Sequence, residues 1–252
     1  MDDIRGKHIW IIGASSGIGA ALSKELASQG AKLALSARRQ EKLEDLLKTL
    51  DGDGHVVAPL DVSEPKDIVS AQEDILKTFS QIDSVIFLAA IYSPHSGEKK
   101  PLSFIHKMLD VNIGGAFNMI DVIEPQFEQQ GHGQLVICAS VAGYRGLPNG
   151  QPYCATKAAL INLGESLRIE LETKNIDVKI ISPGFVKTPL TDKNDFPMPM
   201  IIEAEDAAKA IAKGLKGRAF EIHFPKKFTL IMKFLRLLPN GIYFWIARKM
   251  RS

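Results

Sequence analysis

Two side chains four residues apart carry the first chemical signal in this sequence. The segment Pro152-Tyr153-Cys154-Ala155-Thr156-Lys157 opens a helical stretch, and residues spaced by four share one helical face. A free tyrosine titrates near pH 10 and is a poor acid–base group at neutrality. An ammonium beside it stabilises the phenolate and draws the phenol's pKa towards the working range. A Tyr-x-x-x-Lys spacing alone is common on helix surfaces. Here Ser140 ends an apolar run thirteen residues before Tyr153, which sets a hydroxyl where it can hydrogen-bond a carbonyl offered to the tyrosine.

A second constellation lies near the N-terminus. Apolar His8–Ile12 runs straight into Gly13-Ala14-Ser15-Ser16-Gly17-Ile18-Gly19, and helical periodicity follows. Glycines let the backbone turn tightly and approach a pyrophosphate, which rests on the positive N-terminus of the next helix. The plainer reading is a small-residue turn that tightens strand–helix packing. The strand–loop–helix context favours a dinucleotide. The next strand closes at Leu35-Ser36-Ala37-Arg38-Arg39, where an acidic side chain would bind the ribose hydroxyls of NAD. This chain has two arginines there instead, and a guanidinium fork matches phosphate. The expectation is therefore NADP(H), with Arg38 as leading phosphate contact and Ser36 as second. Arg39 either joins them or merely opens a solvated helix. Asp61 is placed to meet the adenine or to start the following turn.

The elements that must position these groups are legible in the hydrophobic pattern. His8–Ile12, Lys32–Ser36, Val56–Pro59, Val85–Ala89, Gln134–Ala139 and Val178–Ser182 read as buried strands. Between them lie amphipathic stretches such as Ile18–Gln29, with Gly30 suited to the residue after the helix. Ser63 offers an N-cap before Pro65. Strand alternating with helix predicts an α/β fold: a doubly wound, parallel, Rossmann-like sheet covered on both faces. Residues 1–225 form one domain and residues 226–252 a helical extension. Ligands of such sheets bind beyond the carboxyl ends of the strands, at the topological switch point.

In their order and spacing, Gly13-x-x-x-Gly17-x-Gly19, Asn112, Ser140, Tyr153, Lys157 and Pro183-Gly184-x-x-x-Thr188 resemble the short-chain dehydrogenase/reductase family over roughly residues 5–225. The resemblance implies that Tyr153 protonates a carbonyl oxygen as hydride arrives from NADPH. Lys157 would lower the pKa of Tyr153 and hold the nicotinamide ribose, and Ser140 would orient the carbonyl. Asn112 would anchor a proton-relay water near Lys157, the alternative being an amide bonded to helix backbone. Thr188 would touch the carboxamide. Ser15, Ser16, Ile18, Val62, Ala89, Ala90, Pro183, Gly184 and Val186 would complete the cofactor's surroundings. Ile12 stands where the family usually has threonine, and Phe87-Leu88-Ala89-Ala90 replaces its usual Asn-Asn-Ala-Gly. Two amides that steady the central strand are thus absent, and their hydrogen bonds must come from elsewhere. The family also implies a homo-oligomer, dimer or tetramer, paired through helices around Ala116–Gln130 and Tyr153–Thr173.

Composition narrows the classes. Cys138 and Cys154 have neither metal spacing nor a disulfide framework, so no metal is expected. With no basic leader at the N-terminus, the compartment reads as cytoplasmic. After Pro225 stand seven basic residues and no acidic one; the rest carries 24 basic against 29 acidic side chains, a net of −5. That balance argues against nucleic acid. Residues 189–203, rich in Pro and Met, read as a lid over an apolar carbonyl or alcohol substrate. Tyr92, Pro94, Tyr144 and Leu147 are expected on the opposite wall. In Lys226–Asn240 the polar Lys226, Thr229, Lys233, Arg236 and Asn240 form one stripe on an otherwise apolar helix. Ile242–Ala247 follows, each piece too short to span a bilayer. Residues 226–250 therefore read as a peripheral contact with the cytoplasmic membrane face, or as a segment packed on the body or a partner subunit. A cofactor-binding regulator or scaffold with little turnover, and an epimerase or dehydratase on the same scaffold, are the competing classes.

Overall fold

The computed structural model describes residues 1, 3–94 and 100–249. Strands β1 (His8–Ile12), β2 (Lys32–Ser36), β3 (Val56–Val57), β4 (Ser84–Phe87), β5 (Gly133–Cys138), β6 (Ile176–Pro183) and β7 (Glu221–Phe224) form one sheet in the order β3-β2-β1-β4-β5-β6-β7. Every neighbouring pair is parallel. The helices are α1 (Gly17–Ser28), α2 (Gln40–Leu47), α3 (Pro65–Leu76), α4 (Leu102–Leu109), α5 (Gly115–Gln130), α6 (Tyr153–Leu171), α7 (Ala204–Leu215), α8 (Lys226–Leu237) and α9 (Asn240–Lys249). This is the doubly wound sheet expected from the sequence, and its order reverses between β1 and β4.

Burial on both faces explains why the strands are uniformly apolar. Trp10 and Ile12 point into a core shared with α3, α5 and α6, and Ile9 and Ile11 into one shared with α1, α2 and α7. Some boundaries differ from expectation. Strand β3 is only two residues long, although the Ala58 and Leu60 amides beyond it still donate to the Leu35 and Ala37 carbonyls at 3.0 and 3.2 Å. Strand β4 ends at Phe87, and after Leu88 donates to the Ile12 carbonyl at 2.8 Å the two chains separate. Glu64, not Ser63, caps α3; the Ser63 hydroxyl donates instead to Asp61 at 2.7 Å. Gly30 does follow α1 in the left-handed region, with φ +85°. Strand β7 was not marked by the sequence, since Glu221 and His223 interrupt its apolar run.

The apolar stretch read over Lys226–Asn240 forms α8, and the piece Ile242–Ala247 lies in a second helix, α9. Leu238, with extended backbone, ends α8 before Pro239, and Asn240 opens α9. Both pack on the body, through Met232 and Thr229 of α8 and Tyr243 and Ala247 of α9. No helix among the described residues is long and apolar enough to cross a membrane.

One buried polar chain ties the short edge strand to the centre. Trp10 Nε1 donates to Ser36 Oγ at 2.8 Å, and Ser36 Oγ donates to the Ala58 carbonyl at 2.5 Å. Ser36→Ala leaves the indole N–H and that carbonyl unpaired, and a buried unpaired group costs about 1–3 kcal/mol. The urea midpoint should fall accordingly at unchanged slope; a midpoint equal to the parent's would contradict this role.

Candidate active site

Where β1 and β4 diverge, their chain exits border a cleft of about 310 Å³. Its floor depends on Gly13, which has φ +99°; a Cβ there would lie 2.7 Å from the Ala89 nitrogen. The Gly13 and Ala14 amides both donate to the Ser36 carbonyl, at 2.7 and 3.1 Å, which anchors the loop on β2. Extended Ser16 caps α1 without a side-chain hydrogen bond, so the N-terminal amides of α1 face the cleft as an anion-binding group. Gly17 lets the lid base approach, since a Cβ there would sit 3.0 Å from the Thr188 methyl.

Arg38 and Asp61 stand at one end, 4.0 Å apart and both partly exposed. Partial burial works against the Asp61 carboxylate, but hydrogen bonds from the Ser63 hydroxyl and amide, with Arg38, hold its pKa below the usual range. Arg39 lines the same rim. Ser36 does not: it is fully buried and its hydroxyl is engaged between Trp10 and Ala58. The expectation of Ser36 as a phosphate contact is corrected accordingly.

Tyr153, Lys157 and Ser140 stand at the other end. Ser140 caps a short turn at the exit of β5, its Oγ accepting from the Ala142 amide at 3.1 Å and donating weakly to the Pro183 carbonyl at 3.4 Å. Lys157 is buried; its ammonium donates to the Cys138 carbonyl at 2.8 Å and lies 5.6 Å from the Tyr153 ring centre. The electrostatics differ from the sequence expectation. Burial pushes the Tyr153 phenol up, and the hydrogen bond with Ser140, which favours ionisation, does not compensate. Burial likewise pushes the Lys157 amine down. Taking either group out of water favours its neutral form, and at this distance the lysine does not reverse that. Tyr92 packs edge-on against Tyr153 at 4.9 Å, and its hydroxyl donates to Asn194 of the lid at 2.9 Å.

Residues 7–197 match the short chain dehydrogenase family. The chain belongs to that family. It is 32% identical to an uncharacterized oxidoreductase of Myxococcus xanthus (strain DK1622), over 100% of both chains. It is 38% identical to the uncharacterized oxidoreductase Lmo0432 of Listeria monocytogenes, over 75% of this chain and 78% of the relative. Among solved structures, a short chain dehydrogenase from Burkholderia cenocepacia in complex with NADP superposes with TM-score 0.82 at 24% identity, over 96% of this chain and 97% of that one, a likeness of fold. A 3-ketoacyl-(acyl-carrier-protein) reductase from Brucella melitensis complexed with NADH gives 0.78 at 25% identity, over 89% and 99%.

In this oxidoreductase the cleft gathers nearly every residue singled out from sequence, including Gly19, Val62, Ala90, Gly184 and Val186. Asn112 lies behind it. Fully buried on the irregular turn between α4 and α5, it accepts from the Ile91 amide at 2.8 Å and donates to the Ile91 carbonyl at 3.0 Å and to Thr156 at 3.2 Å. Both amide hydrogens are thereby used, so the Asn112 side chain clamps the β4 exit to α6. Tyr144 and Leu147 are also corrected as wall residues. The Tyr144 hydroxyl donates to Glu221, and Leu147 borders a shallow depression beside Tyr243. Two contributors had no sequence signal: the Cys138 carbonyl, a backbone group, and Thr191, whose hydroxyl donates to the Val186 carbonyl at 2.6 Å and fixes the lid base.

Tyr92, Tyr144, Tyr153 and Tyr243, all the tyrosines in the chain, have phenols raised by burial. Folded protein at pH 10, where free tyrosine is about half ionised, should therefore show almost no phenolate absorbance. A raised phenol pKa makes stability full below the ordinary value and lost as pH rises through the folded one. The phenols should ionise together with alkaline unfolding. A phenolate that appears below pH 10 in the parent but not in Tyr153→Phe would contradict the raised value.

Proposed function

We propose that this chain interconverts a carbonyl and an alcohol with NADP(H), Tyr153 being the proton donor and acceptor. The observation that carries the reading is one cleft with the glycine loop and Arg38 at one end and Tyr153, Ser140 and Lys157 at the other. The residues suit a dinucleotide: only a glycine tolerates the approach at Gly13, the open N-terminus of α1 suits a pyrophosphate, and Arg38 suits a 2′-phosphate. The likeness to reductases solved with NADP and NADH supports the same assignment. When bound, the nicotinamide supplies or accepts the hydride.

The chain's own residues supply everything else. Ser140 exchanges its weak bond to the Pro183 carbonyl for one to the substrate oxygen, fixing that oxygen beside Tyr153. The phenol, kept protonated by burial, gives its proton to the oxygen as negative charge develops there. Lys157 then stabilises the phenolate and holds the ribose, and solvent protons restore the pair. Asn112 positions α6 against the β4 exit. Tyr92, Phe185 and Phe196 give the substrate side an apolar aromatic wall, which favours an apolar substrate. Phe117 on α5 and Ile169 on α6 are exposed apolar residues that suit a homo-oligomer paired through those helices. The working site is the cytoplasm, with the tail as a peripheral membrane contact.

The test follows NADPH oxidation at 340 nm against carbonyls from short ketones to long-chain and sterol-like ones. Tyr153→Phe should retain NADPH binding and lose turnover by about 10²-fold or more. NADPH binding without turnover across the panel would favour the regulatory or scaffold reading, and equal turnover in the variant would overturn the role of Tyr153. Because the raised phenol pKa preserves the acid form, carbonyl reduction should stay flat through neutral pH and fall only above about pH 10, while alcohol oxidation rises with pH. A reduction rate that halves between about pH 7 and 8, well below the ordinary tyrosine value, would contradict this assignment.

A further inference from the structure

The extension formed by α8 and α9 is tied to the body by polar residues of its stripe. Thr229 is fully buried with its hydroxyl 2.6 Å from His223, Lys233 pairs with Glu221 at 2.5 Å, and Arg236 approaches Glu165 at 3.8 Å. Asn240 accepts from Arg145 at 2.6 Å, and Arg145 lies 4.4 Å over the ring of Tyr243, whose hydroxyl donates to the Gly146 carbonyl. Met232, Tyr243 and Ala247 are buried against the body, but a second set of apolar residues is left outside. Leu230, Ile231, Phe234 and Leu237 make one exposed face of α8, Leu237 at 81% exposure. On α9, Ile242, Phe244 and Trp245 are exposed beside Arg248 and Lys249. A helix that only covers the core carries polar residues on its outer side; here that side is apolar, and an exposed apolar surface of this kind marks an interaction site.

We infer that the outer face of α8 and α9 seats in an anionic phospholipid surface and holds the lid beside the lipid. Charge decides between occupants. No acidic residue follows Pro225, so a second copy meeting through the same face would set Lys227, Arg248 and Lys249 against themselves, as a two-fold contact requires. Anionic headgroups complement all three, while Phe and Trp enter the headgroup–acyl boundary. The Lys249 ammonium lies 3.9 Å over the Trp245 ring, which keeps that aromatic and that cation on one outward surface. The lid is tied to the same element. Phe228 of α8 packs on Phe185 at 5.5 Å, Phe185 meets lid residue Phe196 at 6.1 Å, and Phe196, Met200 and Ile201 are themselves exposed. Docking therefore brings an apolar lid to the lipid, from which an apolar substrate can enter. That route rests on the carbonyl-reductase reading; the docking does not.

The test sediments the full chain with vesicles of phosphatidylcholine alone and of an equimolar mixture with phosphatidylglycerol, while recording Trp245 emission. The intact chain should pellet with the anionic vesicles, with a blue shift that buried Trp10 does not contribute. The double variant Phe234→Ser/Trp245→Ser, which alters only outward residues, should bind about tenfold or more weakly with unchanged unfolding midpoint and unchanged NADPH oxidation with a soluble carbonyl. Intact protein left in the supernatant, or a variant that binds equally well, overturns the inference. So does self-association lost in the variant without vesicle binding, which would assign the face to a second copy. Vesicle binding without turnover on any carbonyl would count against the proposed reaction alone.

Discussion

Everything chemical in this molecule depends on two chain exits passing at van der Waals distance and then parting. Strands β1 and β4 are neighbours at the point where the sheet order reverses, and Gly13 crosses the end of β4 where a single methyl would overlap Ala89. The close passage lets the loop turn under the first turn of α1 and expose its amides. The divergence beyond it opens the cleft, and the parallel sheet delivers β5 with Ser140, and β6 with Pro183, to the same edge. A topology forced by two-sided burial thus yields one cleft with the glycine loop and Arg38 at one end and Tyr153, Ser140 and Lys157 at the other.

The donor end is governed by desolvation. In water a lysine beside a tyrosine would favour the charged pair, but here burial raises the phenol, lowers the amine and leaves a protonated acid facing the cleft. The Cys138 carbonyl takes the lysine's hydrogen bond, so α6 is held to β5 at Lys157. Asn112 performs the matching task on the other side of α6, and Tyr92 connects the donor to the lid.

Much of this was legible in the sequence because it rests on local patterns. Glycines, strand-length apolar runs and the Tyr-x-x-x-Lys spacing each have a short-range cause. What was not legible depended on long-range contacts. Ser36 reads as a phosphate ligand until Trp10, in a neighbouring strand, claims its hydroxyl. The clamp that the Asn112 side chain makes to Ile91 and Thr156 likewise joins residues distant in sequence. The stripe along α8 was visible, but its direction depended on Glu221 and Glu165, acids distant in sequence that draw it inward and leave the apolar side exposed. Strand β7 was missed because those same roles put Glu221 and His223 into a run that would otherwise read as buried strand.

We propose that this cleft recognises NADP(H) through a guanidinium at the end of β2, where an acid would select NAD. Calorimetric titration of NADPH and NADH into the parent and into Arg38→Ala tests it most directly. A charge-assisted bond of about 1.5–3 kcal/mol corresponds to roughly tenfold to a hundredfold in affinity. The parent should therefore prefer NADPH by that factor, and the variant should bind both nucleotides alike near the parent's affinity for NADH. A parent that prefers NADH, or that binds neither nucleotide, would contradict the claim.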